Sequence, residues 1–253
     1  MLVTEMKAAI KCKWIYIITA ALSYLILPNV IRFYIYPGLD KSEIDHLTFI
    51  IEPMAFTALA PFAALFCILP YSMSFSDEYN SGYSKSILIR TTTGRYALSK
   101  ILSIGFTGGF TIALAFAAVF TLAVIRGGPV TQDSLSEFYY MSIWWEMALS
   151  NGGYTVLVWK LVLGILFGIV WSMFGLLMSC LFMNRFISIL VSFCIYQSLW
   201  MLLSDKWYNP VYLLRGDRSI MPSLGHIIYT QLAIILVASV FSFIGITRRC
   251  KNV

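Results

Sequence analysis

Apolar residues in this chain come in long blocks separated by short charged stretches. Six blocks, at about 14–36, 53–75, 97–125, 156–183, 186–204 and 225–247, are long enough to cross a membrane as helices. The last but one, Phe186 to Ser204, is barely long enough at about 1.5 Å per residue for a hydrocarbon core of about 30 Å. The second, Pro53 to Phe75, holds eight Leu, Ile or Phe residues and no charge. At roughly −0.3 to −0.6 kcal/mol each, these favour insertion by about 4 kcal/mol, which one central charge would nearly cancel. Pro28 and Asn29 in the first block predict a kink or an end to its regular part, and Pro61 and Pro70 in the second predict irregularity or bending within the span. The pattern predicts an all-α polytopic membrane protein, one transmembrane domain over 1–253.

Between the blocks lie stretches of differing character. Met1 to Lys13 sets Leu2, Met6, Ala9 and Ile10 near one face and its lysines mostly off it, the pattern of a short interfacial helix. An untidy terminus carrying positive charge fits the same residues. The segment after the first block is acidic, with Asp40, Glu43, Asp45 and Glu52. Arg126 to Tyr154 opens on Gly127-Gly128-Pro129, carries a capping box at Ser134 and Glu137, and continues into an amphipathic run with Trp144 and Trp145, predicted as a helix resting at the outer interface. Asp205 to Leu224 is neither a clean span nor a plain loop. Its Trp207, Tyr208, Val211 and Leu213 predict a re-entrant segment around Asn209-Pro210. Small residues punctuate two blocks, Gly105, Gly108 and Gly109 in the third and Gly164, Gly168, Ser172, Gly175 and Ser179 in the fourth. Close helix packing is the reading preferred over a hinge.

The stretch from Ser76 to Lys100 is the longest polar interruption on the side predicted to face the cytoplasm. Asp77 and Glu78 open it, Gly82 breaks it, and Lys85, Arg90, Arg95 and Lys100 make it basic. Ser84 to Ile89 is long enough for one or two helical turns with an apolar edge. A connection that only turned the chain would need about 4–6 residues. A docking surface for a partner outside the membrane accounts for the extra length; a solvated basic loop that merely fixes topology is the alternative.

Composition narrows the class. Of 253 residues, 59% are hydrophobic and 12% charged, half the roughly 25% of a soluble domain. The net charge of +6 is unevenly placed: net +8 on the predicted inner segments and −2 on the outer ones. That asymmetry puts both termini in the cytoplasm and argues for topology rather than nucleic-acid binding. Cys12, Cys67, Cys180, Cys194 and Cys250 lie in spans or at the inner face, so no disulfide framework is expected. Their spacing, with His46 and His226 far apart, supports no metal site.

Candidate chemistry is defined mainly by what is missing. The span centres contain almost no ionisable residue, Gln197 and Gln231 being the notable polar side chains. An ion-coupled pump or a selective channel needs buried charges or carbonyl rings, so neither is expected. There is no HExxH, no GxSxG and no P-loop. No catalytic residue and no directly bound cofactor is therefore expected, and an intramembrane enzyme is the least favoured class.

Glu78, Gly82, Leu88, Arg95 and Lys100, set within six spans with an amphipathic N-terminus and a re-entrant segment before the last, resemble permease subunits of type-2 ABC exporters. The family's acidic-glycine entry into a coupling helix is matched by Glu78 and Gly82, and its basic exit by Arg95 and Lys100. Tyr83 stands where a small Ser or Thr is commoner, and Thr92-Thr93 where a proline is often seen, which leaves the limits of that helix open. The resemblance implies a coupling helix at about Tyr83 to Ile89 within a cytoplasmic loop over 77–96, contacting a separate ABC ATPase subunit that carries ATP and Mg. Glu78, Gly82, Tyr83, Lys85, Ile87, Leu88 and Arg90 are the candidate contact residues. It further implies pairing with a second permease copy or a paralogue, and export of a peptide, toxin or lipid-like amphiphile from a bacterial plasma membrane. A non-transporting scaffold, sensor or immunity protein using the same loop is the alternative.

Overall fold

The computed structural model describes residues 1–23, 46, 59–126, 128–130, 144, 147, 150–204, 206–215 and 223–251. The described residues form helices joined by turns, with no strand among them. In chain order the helices are α1 (Leu2–Ile10), α2 (Lys13–Ser23), α3 (Leu59–Ile68), α4 (Ser74–Asn80), α5 (Tyr83–Leu88) and α6 (Thr93–Arg126). They continue with α7 (Gly153–Phe182), α8 (Arg185–Leu202), α9 (Pro210–Arg215) and α10 (Leu224–Lys251).

Four of these, α6, α7, α8 and α10, are long and apolar enough to cross a membrane, which marks a membrane protein. Block one is represented by α2 and block two by α3, both shorter than a span within the described residues. The rest of block one, the acidic segment with Asp40 to Glu52, the start of block two and the Ser134–Glu137 capping box lie outside the described residues. Pro70 acts as expected: α3 stops at Ile68, and the chain turns before α4 begins at Ser74. At about 27 Å for 18 residues, α8 is the short span its sequence predicted.

The bundle is built around α7, which packs against α3, α4, α6, α8, α9 and α10. Its most apolar window is 61% buried, against 17% for α8 and 22% for α10, so α7 is central and those two are peripheral. Small residues make the centre possible. A Cβ on Gly108 of α6 would lie 2.3 Å from the Gly168 carbonyl oxygen, and one on Gly168 would lie 2.4 Å from that of Gly108. The two backbones therefore touch where side chains are absent, so the glycines serve packing. Hydroxyls along this seam bond back within their own helices, Thr107 Oγ1 to the Ile104 carbonyl at 2.8 Å and Ser172 Oγ to that of Ile169 at 2.9 Å. Their polarity is thus satisfied without water.

Three apolar clusters follow one another along α7, through Leu163, then Phe167 and Trp171, then Leu176 and Cys180. The first includes Trp144, fully buried with Val156, Leu213 and Ile227, although sequence placed its segment at an outer interface. The third contains Phe75, Tyr96 and Cys250, with Met1 packed against it, so the start of the chain and the end of α10 share one end of the bundle. The outward sides of α8 and α10 carry exposed Phe186, Leu190, Leu236 and Val240, the apolar surface that lipid would cover.

Candidate functional site

The polar stretch between the second and third blocks is mostly helical. Only the residues around Ser81-Gly82 and Ile89 to Thr92 interrupt α4, α5 and the start of α6. Asp77 in the first turn of α4 suits the positive end of the helix dipole. Gly82 sits at φ +73°, a left-handed conformation that L side chains rarely adopt, and no neighbour would obstruct a Cβ there. The backbone therefore requires glycine at this corner, and steric room does not. Beyond it α5 makes about one and a half turns, within a residue of the Tyr83–Ile89 helix expected.

The corner sorts the candidate residues into two groups. Tyr83, Lys85 and Arg90 are exposed, as is Ile89 at the C-cap with 85% of its surface open. Ile87 and Leu88 are half-buried against the Phe75–Tyr96 cluster. Glu78 points inward, and its carboxylate is engaged within the chain. Its Oε2 accepts from the Tyr96 hydroxyl at 2.7 Å, and its Oε1 accepts from the Lys100 ammonium.

Lys100 is the centre of a junction that was not expected. Its side chain is fully buried, and its Nζ lies 2.8 Å from Glu5 Oε2 as well as against Glu78. The Tyr71 hydroxyl donates to the same Glu5 oxygen at 3.1 Å. The rings of Tyr71 and Tyr96 flank the ammonium, with centroids 5.3 and 5.8 Å from Nζ. A buried ammonium costs several kcal/mol in lost hydration, so it persists only with close, hydrogen-bonded carboxylates. Here they come from α1 and α4, and the lysine from α6, so one charge clamps three helices and the Tyr71 turn.

Further polar contacts tie this end to the turn between α7 and α8. Asn80 Nδ2 donates to the Met183 carbonyl at 2.7 Å, and Arg185 lies 3.6 Å from Asp77 in an exposed pair worth little by itself. Met183 is left-handed at φ 52°, and Asn184 caps α8 by accepting from the amides of Phe186 and Ile187. Arg249 of α10 donates to the carbonyls of Cys180 and Leu181, satisfying acceptors that the end of α7 leaves open.

Comparison of the chain with family models, curated proteins and solved structures returns no match.

The site therefore rests on its own geometry. Among the described residues, no cluster of His, Cys, Asp or Glu could hold a metal ion, and the five cysteines are unpaired. What the arrangement shows is a short exposed helix whose base is bonded into the bundle. Its exposed side presents Tyr83 and Ile89 with Lys85 and Arg90, and its base is joined through Glu78 to α6 and through Asn80 to the α7–α8 turn, with α1 held by the same Lys100. Sequence reasoning singled out this stretch but not the junction beneath it, in which Glu78 is bonded inward to Lys100 and Tyr96. Lys100 sits four residues after Tyr96, hence on the same face of α6, and a lysine inside the apolar start of a span was the available signal.

Proposed function

We propose that this chain is the membrane subunit of an ATP-driven exporter, with α5 as the point where a separate ATPase pushes. In this reading the chain crosses a bacterial plasma membrane six times with both termini in the cytoplasm. A second copy or a paralogue completes the pathway, and ATP and Mg are bound by the ATPase subunits. The cargo is an amphipathic peptide, toxin or lipid-like molecule, in keeping with spans whose centres carry almost no charge.

One observation carries this reading. A short helix, set off by the left-handed Gly82, exposes two large apolar and two basic side chains with its C-cap while its preceding helix is bonded inward to α6 and the α7–α8 turn, and through Lys100 to α1. Apolar anchors ringed by charge suit a cleft in another protein better than they suit water. Inward bonding through Glu78 and Lys100 lets a force on α5 reach α1 and α6 together.

The test is recovery of an ATPase with the chain extracted in mild detergent from its own cells. Tyr83→Ala combined with Ile89→Asp is expected to lower ATPase recovery and export by at least about tenfold, the loss of one modest apolar anchor being worth about 1.4 kcal/mol. Melting of the extracted variant should match wild type. Export by the isolated chain with no nucleotide-hydrolysing companion would overturn the proposal. Recovery of a different cytoplasmic partner, lost in the same variant, would replace it with the scaffold or sensor reading.

A further inference from the structure

The acidic side chains among the described residues are Glu5, Asp77 and Glu78, and all three lie at the α5 end of the bundle. The fold turns most of their charge away from solution. Glu5 and Glu78 close on the buried Lys100, and Asp77 lies 3.6 Å from Arg185. The bases of the same end are spent differently. Lys85, Arg90 and Arg95 are exposed along α5 and the first turn of α6, and none forms an ion pair with a described residue. Arg248 and Lys251 are exposed beside Cys250, which shares a cluster with Tyr96. By taking its carboxylates inside, the fold leaves the surface around Tyr83 and Ile89 of one sign.

Helix length sets how far that surface stands from lipid. From the exposed, apolar Ile125 back to Thr93, α6 rises about 48 Å, against a hydrocarbon core of about 30 Å and a whole bilayer of about 40–45 Å. With Ile125 at one edge of the core, Lys100 reaches the headgroups of the other leaflet, and Thr93 stands roughly 10 Å beyond that core's headgroup layer. A usual tilt of about 20° shortens the reach by only about 3 Å. Ile89 and Arg90, within four residues of Thr93, are held near the same level. The basic, apolar-tipped surface thus clears the lipid that would otherwise neutralise it.

We propose that the occupant of this surface is acidic: the ATPase subunit meets α5 with an apolar hollow for Tyr83 and Ile89, rimmed by carboxylates that pair with Lys85, Arg90 and Arg95. Three bases brought together in an apolar contact repel one another unless the facing rim carries the opposite sign, so charge here selects the partner and speeds its arrival. The inference rests on the exporter reading for the identity of the occupant and adds the chemistry of its surface. An ATPase with a neutral or basic rim is rejected, which would keep this chain from the engines of other transporters.

The experiment uses the full chain extracted from its own cells with its ATPase and placed in lipid nanodiscs. Raising KCl from about 0.1 M to about 1 M shortens the screening length from about 10 Å to about 3 Å and is expected to release at least about tenfold more ATPase. A water-soluble carbodiimide, which condenses an amine with a carboxylate in contact to an amide, should join Lys85 to an Asp or Glu of the ATPase, mapped by mass spectrometry. Lys85→Glu with Arg90→Glu should lower ATPase recovery at least about tenfold. Lys7→Glu with Lys11→Glu, the same charge change on α1, should lower it less than about twofold, being farther away than the screening length. Both double variants should melt with wild type. An ATPase that stays bound in high salt and gives no bond to Lys85 overturns this inference and leaves the exporter reading standing. Recovery of no ATPase at either salt overturns the exporter reading, and the occupant assigned here falls with it. Spin-labelled lipid headgroups supply the last arm, in a cysteine-free background. If they quench a fluorophore on Ser86→Cys as strongly as one on Lys11→Cys, α5 lies on the membrane and the inference is overturned.

Discussion

Replacing Lys100 with methionine keeps the length of the side chain and removes its charge. In the folded chain, its Nζ lies 2.8 Å from Glu5 and also bonds Glu78, with the lysine fully buried and the two carboxylates 11% and 18% exposed. At an effective dielectric of about 20, the Glu5 contact alone amounts to roughly 6 kcal/mol of attraction, much of it offset by the lost hydration of both ions. The net contribution of the cluster is therefore small, but breaking it is not. Lys100→Met leaves two largely buried carboxylates facing each other without a cation, and the expected loss is about 3–5 kcal/mol. For a chain of 253 residues, at about 2–4 °C per kcal/mol, that is a fall in melting temperature of about 6–20 °C. The triple variant Lys100→Met, Glu5→Gln, Glu78→Gln removes all three charges and should recover most of it, to within about 1–2 kcal/mol of wild type. Thermal unfolding in detergent, together with protease accessibility of residues 1–12, measures both effects. If Lys100→Met melts with wild type, or if the triple variant is as unstable as the single one, the junction is not an electrostatic clamp.

Other outcomes follow from the same geometry. Gly108→Val should destabilise by about 2–3 kcal/mol, because its Cβ would meet the Gly168 carbonyl at 2.3 Å, while Gly94→Ala, whose nearest neighbour is at 3.8 Å, should be neutral in the same unfolding assay. Gly82→Ala should cost about 1–2 kcal/mol from backbone conformation alone, since nothing stands within 4 Å of the added carbon; asparagine at this position should cost less, measured as melting temperature. For topology, a single cysteine replacing Lys85 in a cysteine-free background should resist an impermeant thiol reagent in intact cells, and one replacing Ser150 should react. The reverse pattern would invert the orientation.

Much of the helical layout was legible in the sequence, because in lipid a backbone must satisfy its own hydrogen bonds. Each long apolar block therefore has little choice but helix, and length and composition set its limits. The four helices long and apolar enough to span, the stop at Pro70, the short α8 and the helix at Tyr83–Leu88 are all local in this sense. So was the use of Gly108 and Gly168, whose lack of side chains marks close approach wherever it occurs. The direction in which Glu78 points was not local. It depends on the Gly82 corner and on a lysine 22 residues further along, with Glu5 brought in from the start of the chain. Trp144 was drawn into the bundle for the same reason, its partners Val156, Leu213 and Ile227 lying in three other helices. Sequence alone thus determined that the long apolar segments among the described residues are helical and which residues are small enough to let helices meet. Which charges face one another was decided only by tertiary structure, since a side chain's partner is set by the packing of distant helices and leaves no periodicity along the chain.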